Sequence, residues 1–74
     1  MQYDNFGKFV RQKREALKPK VSLNAFAFEI DLEPATLSRI ERDLQSITLT
    51  EVGKIASGFN QTASELIKEY ETIT

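Results

Sequence analysis

Apolar residues recur at helical spacing in five blocks, each separated from the next by a short polar break. The first block sets Phe6, Phe9, Val10 and Leu17 inward and predicts a helix capped by Asp4 or Asn5 that runs to about Leu17, its first turn weakened by Gly7. Pro19 ends it by biasing Lys18 away from the helical region. In the second block Leu23, Phe26, Ala27 and Ile30 stand at i, i+3, i+4 and i+7 behind a Ser22 cap, with Val21 and Phe26 in staple positions. Asp31 follows where the chain leaves this helix through a left-handed conformation, which Asp and Asn tolerate better than most residues. Pro34 suits the first turn of a third helix, which reaches about Arg42 with Leu37 and Ile40 inward and Leu32 stapled to Leu37.

Two further helices open on T-x-x-E pairs, Thr48 with Glu51 and Thr62 with Glu65, in which cap hydroxyl and carboxylate each bind the other's backbone amide. The fourth carries Leu49, Val52, Ile55, Ala56 and Phe59 inward, is stapled by Ile47 and Val52, and ends at Asn60 as a left-handed cap. The fifth aligns Ala63, Leu66, Ile67 and Tyr70, and Ile73 extends that stripe beyond what a small core covers.

These elements predict an all-α, compact five-helix domain over residues 1–74, with the second and third helices forming a helix-turn-helix at 22–42. Its best-buried residues are expected to be Phe6, Val10, Leu17, Phe26, Ala27, Ile30, Leu37, Ile40, Leu49, Val52, Ala56, Phe59 and Leu66. Phe28 lies off the apolar face of its helix. It either reaches round to the first helix or belongs to a partner surface.

The chain has 74 residues, a size near the lower limit for a self-sufficient core. It has no cysteine and no histidine, which excludes disulfides and the commonest zinc sites. Those absences also remove the usual catalytic bases and nucleophiles, and Gly7, Gly53 and Gly58 form no phosphate loop, so neither enzyme activity, cofactor nor metal is expected. No apolar run is long enough for a membrane span or a signal peptide, and a cytoplasmic location is expected. Net charge is −1, but it is uneven: residues 1–42 hold eight Lys/Arg against six Asp/Glu, and residues 43–74 hold two against five. A basic face can therefore exist on a chain that is acidic overall.

One face of the third helix, Ala35, Ser38, Arg39 and Arg42, is small and basic. It is either an ordinary solvated face or one that sinks into a DNA major groove. Ser22, Ala27 and the run LSRIER from Leu37 to Arg42 decide the emphasis, because together they resemble the helix-turn-helix of the Cro and lambda-repressor family, the XRE type. The similarity continues through Leu49, Ala56 and the run SELI from Ser64 to Ile67.

The resemblance implies a lambda-repressor-like fold and a sequence-specific regulator that binds double-stranded DNA as a homodimer. Base contacts then fall to Pro34, Ala35, Ser38 and Arg39. Phosphate contacts fall to Arg11, Lys13 and Arg42, and to the starts of the second and fourth helices at Ser22, Leu23 and Thr48. Leu23 stands where the family often has Gln, and Asp43 where it usually has Gly. The family also pairs an Arg of the first helix with the Glu ending the third, here Arg14 and Glu41. The stripe Ile67, Tyr70 and Ile73 is either a dimer surface or a cover for the core of the single chain. The alternative is a protein-interaction module of the same fold, favoured by the low isoelectric point, by Glu33 and by the apolar candidates Phe28 and Ile73.

Overall fold

Each apolar block forms one helix in the computed structural model, which describes residues 5–73. The order is α1 (Phe6–Glu15), α2 (Leu23–Glu29), α3 (Pro34–Glu41), α4 (Leu49–Gly58) and α5 (Ala63–Ile73), with no strand among the described residues. No described helix is long and apolar enough to cross a membrane. α3 packs against both α1 and α2, while α4 packs on α5. Val10, Phe26, Leu37, Ile55 and Leu66 are the large side chains sealed completely inside.

Local chemistry sets most boundaries. Ser22 Oγ accepts the Ala25 N–H at 3.1 Å, and the reciprocal bonds of Thr48 with Glu51 and of Thr62 with Glu65 open α4 and α5. α2, α3 and α4 all end on a left-handed residue that is not glycine: Asp31 (φ 61°), Asp43 (φ 56°) and Asn60 (φ 57°). After each, the next amide turns back onto the final turn, Leu32 to the Ala27 carbonyl, Leu44 to that of Arg39 and Gln61 to that of Ala56, all at 2.9 Å. These bonds satisfy carbonyls that a helix end leaves without partners.

α1 departs from expectation at both ends. Asn5 precedes it in a left-handed conformation and makes no side-chain cap bond, while Asp4 lies outside the described residues. The cap comes from Asp43, whose carboxylate accepts the N–H groups of Gly7 at 2.9 Å and Lys8 at 3.3 Å. Gly7 is therefore more than a weak helix former. A Cβ there would collide with the Ile40 carbonyl, so glycine lets α1 rest directly on the end of α3. α1 stops at Glu15, short of Leu17, which is only half-buried.

Three other positions correct the sequence reading. Leu49, expected in the core, is 82% exposed, because it occupies the first position of α4, about two turns ahead of the sealed Ile55 and Ala56. Phe59 is half-buried, tilted over Phe26 with ring centroids 5.0 Å apart. Tyr70, expected on a dimer surface, is 3% exposed and meets the rings of Phe6 and Phe9 at centroid distances of 5.2 and 5.5 Å. Phe28 does not reach round to α1 and is 88% exposed.

Candidate nucleic-acid interface

Burial of Leu37 and Ile40 on one side of α3 fixes which side faces out. Ala27, fully buried, is the small residue on the α2 face that packs with α3. The outward side carries Pro34, Ala35, Arg39 and Arg42, all exposed, with Ser38 half-exposed between them. Small side chains in the middle of this face leave room for the helix to approach another surface closely. Glu33 caps α3 through its backbone, makes no side-chain cap bond and is exposed.

Arg39 is held in place within this face. Its Nε donates to Gln45 Oε1 at 2.6 Å, and Nη2 lies 3.5 Å from Thr36 Oγ1. Arg42 Nε donates to the Ser38 carbonyl at 3.3 Å, leaving its guanidinium at the surface near the end of the helix.

Behind α3, Arg14 and Glu41 form a two-pronged ion pair: Nε to Oε2 at 2.8 Å and Nη2 to Oε1 at 2.9 Å. Their side chains are 9% and 2% exposed. Arg14 Nη1 also donates to the Val21 carbonyl at 2.9 Å, so one guanidinium joins α1, the end of α3 and the loop entering α2. The hydrogen bonds to Glu41 raise the Arg14 pKa, aided by the charge of that carboxylate and opposed by burial.

The remaining candidate residues are distributed unevenly. Arg11 is exposed and pairs with Glu15 one turn along α1 at 3.2 Å. Lys13 is turned away to α5, where Nζ donates to both oxygens of Glu69 at 2.8 and 3.0 Å and sits 5.1 Å from the Phe59 ring centre. That pairing competes with the phosphate contact expected of Lys13. Hydrogen bonds from Lys13 and then Gln61 hold the Glu69 carboxyl below its ordinary pKa. At Thr48 the reciprocal cap already occupies the backbone N–H and sets the Glu51 carboxylate at the mouth of α4, which opposes an anion there. The start of α2, with Ser22 and Leu23, carries no acidic residue in its first turn.

The three α5 residues do not form one surface. Tyr70 points inward, Ile67 lines a shallow apolar hollow with Phe6, Ile47, Leu49 and Val52, and Ile73 lines a separate depression with Phe9 and Ala16.

Two residues at the interface escaped sequence reasoning. Gln45 and Asp43 lie in a loop, where no periodic signal announces the bond of Gln45 to Arg39 or the long-range bonds of Asp43 to α1. A hint existed for Asp43 alone, in its place at a position usually held by glycine.

No curated protein and no solved structure matches the chain significantly. A family model described as helix-turn-helix matches residues 10–66, which includes α2, α3, α4 and the Arg14–Glu41 pair. The chain therefore belongs to the Cro and lambda-repressor helix-turn-helix family, the XRE type, whose members are DNA-binding transcription regulators.

Proposed function

We propose that the chain regulates transcription by binding a specific duplex site, with α3 in the major groove and two copies on a two-fold operator. The observation that carries this reading is the outward face of α3, where Ala35 and Ser38 flank an arginine already fixed by Gln45. Arg39 supplies the hydrogen-bonded discrimination, since an arginine fork matches guanine O6 and N7. Pro34 and Ala35 offer apolar contact of the kind that suits a thymine methyl group. Ser38 adds one short polar contact. Arg42 and Arg11 meet phosphates, and the amides that open α2 at Ser22 and Leu23 contribute a further backbone contact.

Dimerisation follows from the smallness of one reading surface, because half-sites one helical turn apart suit a two-fold pair. With Tyr70 in the core, the side of α5 at Ile67 is the better surface for a second copy, since the exposed Leu49 and the half-buried Ile47 lie beside it. Sedimentation should give a dimer on operator DNA. A single copy bound at high concentration would remove the dimer.

Selection from random duplex DNA by the purified chain should return a two-fold motif. Arg39→Ala should then lose about 1–3 kcal/mol per half-site and relax preference at one base pair. An unchanged motif would show that α3 does not read bases. The second reading, a protein-interaction module, is favoured by Phe28 at 88% exposure on α2. Added salt separates the two, because phosphate binding weakens steeply and an apolar interface hardly changes.

A further inference from the structure

Arg39 is exposed, yet its guanidinium makes two hydrogen bonds to neighbouring side chains. Its Nε–H is taken by Gln45 Oε1 at 2.6 Å, the shorter of its two side-chain hydrogen bonds. Gln45 is itself positioned by its neighbours. The adjacent Leu44 N–H is bonded to the carbonyl of Arg39 at 2.9 Å, and Asp43 is anchored through its carboxylate to the start of α1. Two consecutive loop residues thus bind the backbone and the side chain of the same α3 residue. The loop cannot shift without moving Arg39.

The chemistry of the guanidinium gives this arrangement a consequence. Of its five N–H donors, Gln45 consumes the one on Nε, which would otherwise allow a side-on pairing through Nε and one terminal nitrogen. Thr36 Oγ1 takes one hydrogen of Nη2 in a long bond of 3.5 Å, and what remains for an end-on approach is Nη1 and the second hydrogen of Nη2, a pair that fits two adjacent acceptors such as guanine N7 and O6. Gln45 also offers a neutral acceptor. A carboxylate at the same place would hold Arg39 as well, but it would repel phosphate.

We propose that Gln45 is a positioning residue for specificity: it locks Arg39 into the end-on orientation before DNA arrives, and so sharpens discrimination at one base pair without touching that base. The proposal rests on base reading by Arg39, and its tests are chosen to fail separately from that reading.

In the free protein, the Arg39 Nε–H followed by NMR hydrogen exchange should be protected, and Gln45→Ala should remove the protection. On the selected operator and on a copy altered at the Arg39-dependent base pair, Gln45→Ala should reduce the affinity ratio by about two- to tenfold, the range for ordering one long side chain. Gln45→Glu keeps the acceptor and should keep the ratio while weakening both sites alike. In an Arg39→Ala background, Gln45→Ala should change nothing further.

Unprotected Nε–H in the wild type, a full ratio in Gln45→Ala, or an equal effect of Gln45→Ala with and without Arg39 would each overturn the positioning role. If Arg39→Ala leaves the motif unchanged while Nε–H is protected, base reading fails and the specificity role falls with it. If Arg39→Ala changes the motif and Gln45→Ala does not, only the positioning role fails.

Discussion

Removing one partner of the Arg14–Glu41 pair should nearly unfold the chain, and removing both should not. Arg14→Met deletes two charge-assisted hydrogen bonds to a carboxylate that is 2% exposed, together with the bond to the Val21 carbonyl. Stranding a buried charge in this way costs about 3–5 kcal/mol. A chain of this length has a total stability of about 4–11 kcal/mol on the usual per-residue scale, so the loss consumes much of it. Glu41→Leu should cost less than Arg14→Met, because the guanidinium keeps its bond to Val21 and its long stem can carry the charge toward water. The double variant Arg14→Met, Glu41→Leu buries two apolar side chains in place of two ions and should return to within about 1 kcal/mol of wild type. Urea titrations of the four proteins supply the cycle. A small domain has a slope of about 1–3 kcal/mol per molar urea, so each single variant should lose its folded baseline or shift its midpoint by well over 1 M. Single variants costing under about 1 kcal/mol, or a double variant as unstable as the worse single, would refute the reasoning.

Gly7→Ala should destabilise the fold by about 1–3 kcal/mol in thermal melts, although alanine favours helix, because its Cβ collides with the Ile40 carbonyl. Asp43→Ala should cost about 1–2 kcal/mol through loss of the α1 cap and a worse left-handed residue, whereas Asp43→Gly should be nearly neutral, its backbone gain offsetting the lost cap. Lys13→Met should narrow the acid sensitivity of folding. Glu69 has a depressed pKa in the fold, so the pair's contribution is present above the ordinary Glu pKa of about 4.3 and is lost as pH falls through the lower folded value. With Glu69 more than a third exposed, that contribution is at most about 1 kcal/mol, and equal acid sensitivity in the two proteins would count against it.

The helices were legible because their signals are local. Two reciprocal T-x-x-E caps, Pro34 and the left-handed Asp31 and Asn60 act within a few residues of sequence, and the apolar stripes between them repeat at helical spacing. What escaped the sequence depends on where two helices meet. Leu49 fits the α4 stripe, yet periodicity says nothing about where the covering helix ends. Tyr70 and Ile73 lie near one another along α5, but the rings of Phe6 and Phe9 on α1 bury Tyr70 and leave Ile73 64% exposed. Lys13 looked available for phosphate because Glu69, its partner, lies 56 residues away. Asp43 was legible only as a departure from the family's usual Gly, and illegible as the cap of α1, a bond that spans 36 residues.

The arrangement of charge bears on how a chain of net charge −1 manages to bind DNA at all. Four cations are engaged by carboxylates or turns of the same chain: Arg14 by the buried Glu41, Lys13 by Glu69, Arg11 by Glu15 at the surface, and Lys54 by the Asp31 carbonyl at 3.1 Å. On the proposed reading, Arg11 and Arg42 are the phosphate contacts of each copy, and two copies neutralise about four phosphates, a log–log salt slope of about −3.6. That is shallow beside regulators making six to ten such contacts. Non-specific attraction is correspondingly weak, and the exposed carboxylates of Asp31 and Glu33 weaken it further at the mouth of α3. Discrimination must then come from base contacts, of which only Arg39 offers a strong hydrogen-bonded pair. On that reading a fixed Arg39, duplicated in the proposed dimer, would compensate for this thin code: each half-site would multiply the ratio between right and wrong sequences, while the low charge would keep the chain from being held elsewhere.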